Sequence, residues 1–275
     1  MDGRDPRGEG QGEPLRSVSN PKVQRVRAAV KGREEGVLLL EGDRLVDEAL
    51  GLGLELELLL VADDRPERLA ELEAAGRRPI AVEAGLLDRI GSLKSGPGIL
   101  ALAAEPEVRP VGELTEALGD AEAGSGPPPL VLVVAGVADP VNLGALARSA
   151  EAAGVRALVR VAGGVSPWNP RALRGSMGSL LRLPVLEAPD EAAAAEACVA
   201  AGLTIASAAT RGGEDFRTFD WTRPVALWIG PELGGTMPGG AVGLTIPMAG
   251  AVESLNVTVA ASVLLFAAGR TGGGA

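Results

Sequence analysis

Three stretches of the chain carry residues that could do chemistry. ADPVNLGALARSAEAAG (138–154) holds Asn142 and Arg148; IGPELGG (229–235) holds Gly230 and Glu232; IPMAGAVESLNVTVAASVLLFAAGR (246–270) holds Ser254 and Asn256. The chain has no histidine. That removes Ser-His-Asp and Cys-His catalysis, imidazole bases and most catalytic zinc sites in one step. The single thiol, Cys198, stands in a run of alanines. It can form no disulfide within the chain and no multi-cysteine metal site, and reads as a small buried residue. No GxGxxG follows a strand and no GxxxxGK[ST] occurs, so dinucleotide and P-loop nucleotide sites are disfavoured. Chemistry is left to Arg, Glu, Ser, Asn, backbone groups and a bound cofactor.

Taken singly, each stretch also has an ordinary structural reading. Asp139-Pro140 followed by Asn142 suits a turn and helix cap, Gly144 close packing, and Arg148 a helix surface. Gly230-Pro231 suits a tight turn, Glu232 a helix N-terminus, and Ser254-Leu255-Asn256 the start of the last helix. What distinguishes them is the elements behind them. LVLVVAGV (130–137) is a strand of the kind buried on both faces. A helix over 143–153 follows, ending at Gly154. Strands are expected at 157–162, 183–188, 202–209, 224–230 and 243–248, with a helix at 190–201 and a long apolar helix at 254–268. This alternation predicts an open, mostly parallel sheet, in which ligands bind beyond the carboxyl ends of the strands. All three stretches begin at such ends.

An earlier α/β pattern stands apart from this one. Asn20-Pro21 opens a helix, strands are expected at 37–42, 54–62, 79–83 and 98–105, and helices at 43–51 and 66–75, the latter capped by Asp63 or Asp64. The organisation expected is a disordered tail (1–15), a small α/β domain (16–106), a linker (107–128) rich in Gly and Pro towards its end, and the sheet domain (129–275). With 46% hydrophobic residues and 2% aromatic, the cores must be aliphatic. The apolar runs are too short to span a bilayer, and no apolar stretch follows the first residues. A soluble cytoplasmic protein without membrane or metal partners is the expectation.

Net charge is −10, which argues against a generic nucleic-acid coat. Its distribution is uneven. Arg156, Arg160, Arg171, Arg174 and Arg182 fall in an acid-free run, and 16–33 carries Arg16, Lys22, Arg25, Arg27, Lys31 and Arg33. Both are candidate phosphate-facing patches.

Together and in this order, the three stretches resemble the motifs of the SpoU (TrmH) family of RNA ribose methyltransferases, of the SPOUT class. The first matches in Asp139, Pro140, Asn142, Gly144, Arg148, Ser149, Ala150 and Gly154; the second in Gly230, Glu232 and Gly234. The third matches in Ile246, Pro247, Met248, Gly250, Ser254, Leu255, Asn256, Val257, Val259 and Ala260, and RALRGSMGSLLRLPV (171–185) fits the family's Ser-x-Gly…Leu-Pro-Val stretch. Leu233 departs from it, where Gly or Ala is common. NPKVQRVRAAV, VLLLEGDRLVDEAL and GPGILAL resemble the family's small L30e-like substrate-binding domain.

The resemblance implies a C-terminal trefoil-knotted sheet domain, a homodimer formed through that region, and S-adenosylmethionine as cofactor. Its contacts would come from Ala208, Ala209, Thr210, Gly230, Ile246 and Leu255. The reaction implied is methylation of a ribose 2′-hydroxyl, with ribosomal RNA favoured, and transfer RNA or a catalytically silent RNA-binding role as alternatives. Arg148 would be the catalytic arginine, stabilising the alkoxide or clamping a phosphate, with action as a base the less attractive alternative because arginine stays protonated. Asn142, Asn256, Glu232 and Ser254 would position the groups, and Arg171 and Arg174 would touch RNA.

Overall fold

The computed structural model describes residues 13–93, 96–119, 127–210, 212–230 and 238–269. The chain divides into two compact units, Met1–Pro106 and Glu107–Ala275.

The first unit runs α1 (Pro21–Val30), β1 (Val37–Glu41), α2 (Asp43–Gly51), β2 (Leu56–Ala62), α3 (Pro66–Ala74), β3 (Ile80–Val82), α4 (Ala84–Ile90) and β4 (Ile99–Ala104). Its sheet has the order β1-β4-β2-β3, antiparallel at β4 and parallel between β2 and β3. The Asn20 side chain accepts from Lys22 N and caps α1. Val23, Val26 and Ala29 of α1, with Leu86, Leu87 and Ile90 of α4, pack on Leu39, Leu60, Leu100 and Leu102 of the sheet. Strand residues alternate in direction, so Leu38, Leu40 and Val61 serve the opposite face. There α2 contacts β1 and β4, and Arg68 ties α3 to Asp43 and Asp47 of α2. The sheet thus separates α1 and α4 from α2 and α3.

Three expectations for this unit need correction. Helix α3 has no side-chain cap; Asp63 instead accepts from Ala84 N at 3.0 Å and holds the start of α4. Helix α4 itself was not expected, because seven residues containing a glycine give little periodicity. Leu15, assigned to a tail, pairs beside Val82 and exchanges backbone hydrogen bonds with Ala81 and Glu83; residues 1–12 lie outside the described residues.

The second unit comprises β5 (Arg109–Pro110), a 3-10 turn (Val111–Glu113), α5 (Leu114–Leu118), β6 (Leu130–Val134), α6 (Pro140–Ala152), β7 (Ala157–Val161), α7 (Pro170–Ser176), α8 (Ser179–Arg182) and β8 (Val185–Ala188). It continues with α9 (Glu191–Ala200), β9 (Thr204–Ala208), β10 (Glu214–Asp215), β11 (Val225–Ile229), β12 (Val242–Thr245) and α10 (Val257–Gly269). The sheet order is β10-β12-β9-β11-β6-β7-β8-β5, and every pairing is parallel. The six expected strands are all present, and β5 and β10 extend the edges. Central β6 and β11 are buried at every residue, as a strand covered on both faces requires.

Val131, Val133, Val159, Ile205 and Trp228 form one core face with Ala194 and Cys198 of α9. Val111, Leu114 and Leu118 join the same core. Residues 107–118, assigned to a linker, are therefore part of this unit, held by their apolar side chains and by the β5–β8 pairing. The final helix begins at Val257 and not at Ser254. No helix among the described residues is long and apolar enough to cross a membrane.

Candidate active site

Four neighbouring strands, in the order β12-β9-β11-β6, run parallel and so end at one edge. Ala135 N donates to Ile229 O at 2.9 Å, and Ala209 N to Leu244 O at 2.8 Å. Trp228 pairs with Ser207, and Leu244 with Ala208. Just beyond these ends stand Gly230 after β11, Ala209 and Thr210 after β9, and Ile246 after β12. The structure thus brings together five of the six candidate cofactor residues: Ala208, Ala209, Thr210, Gly230 and Ile246. Ala208 and Thr210 are exposed; Gly230, Ile246 and Leu255 are half-buried. A Cβ built at Gly230 meets no described atom within 4 Å. Open space beside backbone, flanked by aliphatic side chains, fits a flat heteroaromatic ligand.

Helix α6 leaves the same edge. Asp139 accepts from Val141 N at 2.9 Å and caps it, with Pro140 at its first position. Gly144 allows the closest approach in this region: a Cβ there would stand 2.4 Å from Ala172 O and 2.9 Å from Gly175 of α7. On the side facing α10, Asn142 accepts from Thr258 Oγ1 at 3.3 Å. Ser149 and Ser262 hydroxyls meet at 2.8 Å. Asn256 Oδ1 accepts from Thr258 N at 2.8 Å, capping α10.

Arg148 lies on α6 next to Ser149, exposed, and makes no hydrogen bond or ion pair among the described residues. Helical Cα–Cβ bonds tilt towards the N-terminus, here the end at the strand edge. Ser254 is exposed just ahead of α10. Glu232, with Leu233 and Gly234, lies outside the described residues.

The arginine-rich run is less free than its sequence suggests. Arg182 forks onto Glu151 at 2.5 and 2.8 Å; this hydrogen bonding lowers the Glu151 pKa. Arg160 pairs with Glu187 and donates to the carbonyls of Gly164 and Val165, and burial lowers its pKa. Arg156 donates to the carbonyls of Leu118 and Pro127. The acids bounding the run and main-chain oxygens absorb these three; chain order alone does not reveal which groups return beside it. Arg171 is exposed and Arg174 half-buried. Cys198 is fully buried, and burial pushes its thiol up to about 12.

Sequence reasoning passed over Thr258 and Ser262. Their signal was present: two hydroxyls four residues apart, on one side of an otherwise apolar helix.

The profile of the SpoU rRNA Methylase family matches residues 129–266. An uncharacterized tRNA/rRNA methyltransferase of Synechocystis sp., slr1673, is 30% identical over 93% of each chain. A 23S rRNA (guanosine-2′-O-)-methyltransferase, RlmB, of Ralstonia nicotianae is 32% identical, covering 78% of this chain and 87% of the relative. The crystal structure of an AdoMet-bound rRNA methyltransferase from Sinorhizobium meliloti is similar with a TM-score of 0.77 at 26% identity, over 94% of this chain and 98% of that one.

Proposed function

The chain belongs to the SpoU rRNA Methylase family, and from that premise we propose that it methylates a ribose 2′-hydroxyl of ribosomal RNA, using S-adenosylmethionine. The observation that carries this reading is the shared edge of β12, β9, β11 and β6, where the family's motif residues meet open space at Gly230. Ala208, Ala209, Thr210, Gly230, Ile246 and Leu255 would hold the cofactor, the aliphatic groups against its adenine and main-chain groups at its edge. When bound, the cofactor supplies an electrophilic methyl group on a sulfonium.

The chain's own task is then to bring a ribose oxygen into line and favour its charged form. Positioning alone supplies much of such a displacement. No histidine exists to take the proton, and arginine stays protonated. Arg148 therefore acts by charge, on the developing alkoxide or the neighbouring phosphate. Asn142 and Asn256 position the substrate through amide hydrogen bonds, Ser254 bonds a ligand, and Glu232 orients the arginine.

The first unit serves as the L30e-like RNA-binding domain, a reading supported by its charge layout. Helices α1 and α4 carry Lys22, Arg25, Arg27 and Arg89 against one acid, Asp88. Across the sheet, α2 and α3 carry Asp43, Asp47, Glu48, Glu67, Glu71 and Glu73 against Arg44 and Arg68. Arg25 is paired with Glu57, so a polyanion is attracted to the first face through Lys22, Arg27 and Arg89 and repelled by the second. Arg171 and Arg174 supply further contacts to RNA in the second unit. Family membership supports a trefoil knot in the segment 225–268, and the ribosomal substrate supports a cytoplasmic location.

The second unit forms a homodimer through α6 and α10. These helices pack together and leave Val141, Val259 and Phe266 each about half exposed, the last two on one stripe seven residues apart. Sedimentation at micromolar concentration is expected to give twice the chain mass; a monomer there sinks this part of the reading.

The enzymatic reading is tested by calorimetry with S-adenosylhomocysteine beside methyl incorporation into ribosomal RNA. Wild type is expected to do both. Arg148→Ala is expected to bind the nucleoside within twofold of wild type but to transfer at least about 100-fold more slowly. Binding without transfer to any RNA, by wild type, would favour a silent RNA-binding protein.

A further inference from the structure

Both motif asparagines converge on one residue that carries no assigned role. Asn256 Oδ1 accepts from the backbone N–H of Thr258 at 2.8 Å. An N–H can only donate, so this amide oxygen must face the helix and its NH2 must turn outward. Asn142 Oδ1 accepts from the hydroxyl of the same Thr258 at 3.3 Å. The two asparagines lie on different helices' N-terminal ends, 114 positions apart in sequence by their numbers, yet share this one partner.

Thr258 is itself held. Ser262 Oγ donates to Thr258 O at 2.7 Å. With its one hydrogen so used, Ser262 Oγ accepts from Ser149 at 2.8 Å. This chain of hydroxyls joins α6, beside Arg148, to α10. Apolar packing could hold two helices together without any of it; hydroxyl bridges add a fixed rotation and register.

We infer that Thr258 is a positioning residue, holding the side chain of Asn142 in place through its hydroxyl and fixing the amide of Asn256 through its N–H, so that both are presented to the ribose or the adjoining phosphate. The inference rests on the methyltransferase reading above. Its hydroxyl governs Asn142 and its backbone governs Asn256, so the two contributions separate by mutation. Thr258→Val keeps the side-chain shape, the N–H and the Asn256 cap, and removes only the hold on Asn142.

The test is a double-mutant cycle in the full-length protein. Thr258→Val is expected to lower kcat about tenfold, with S-adenosylhomocysteine affinity unchanged within twofold. Thr258→Ser is expected to recover most of that loss. In an Asn142→Ala background, Thr258→Val is expected to add less than a twofold further loss, because the group it positions is gone. Additive losses, or a Thr258→Val enzyme with wild-type kcat, overturn the inference. A wild type that transfers no methyl group overturns the enzymatic reading instead. The positioning claim is then decided by the side-chain amide resonances of Asn142. These shift in Thr258→Val and return in Thr258→Ser if it holds, and stay in place if it fails.

Discussion

Gly230 and Gly144 show one residue type meeting two opposite demands. At Gly144 an added methyl would enter the backbone of α7, 2.4 Å from Ala172 O. At Gly230 it would enter open space, where the cofactor is proposed to lie. Gly230→Ala is therefore expected to leave stability within about 0.5 kcal/mol of wild type. Its affinity for S-adenosylhomocysteine should fall tenfold or more by calorimetry. Unchanged affinity would remove Gly230 from the site. The sequence named Gly230 through its motif, but a glycine's reason for being there is readable only from what surrounds it. The same holds for the arginines. Arg148 and Arg182 look alike as letters, and only the fold shows Arg182 committed to Glu151 and Arg148 exposed.

Elements were the most legible level. The strands of the second unit stand out because apolar runs such as LVLVV and VALWI have no other place to go than a sheet covered on both faces. Helices with real periodicity or a Pro-containing start, such as α1 and α6, were equally clear. Short α4 was not, since it is fixed by packing that no local pattern records. Which helices touch was also invisible, and so was the Thr258 junction. The α6–α7 contact is the tightest of these. Gly144→Ala must push the helices apart and is expected to destabilise the protein by about 1–3 kcal/mol, measured by denaturant titration. A change below about 0.5 kcal/mol would show that α7 yields easily and that the close approach is incidental.

At the scale of the whole molecule, a strongly acidic chain is proposed to bind a polyanion, and its charge is arranged to allow it. Acids gather on α2 and α3, where Arg65 and Arg68 partly neutralise them, and cations gather on α1 and before it. Net charge concealed this, because a sum over residues carries no direction. The fold class was readable in advance; the charge layout needed the topology. The account comes down to the atom that is methylated. Ribosomal RNA incubated with the protein and isotopically labelled S-adenosylmethionine, digested to nucleosides and resolved by mass spectrometry, should yield a single labelled 2′-O-methylnucleoside, absent with Arg148→Ala. Label on a base, or on no nucleoside at all, would contradict it.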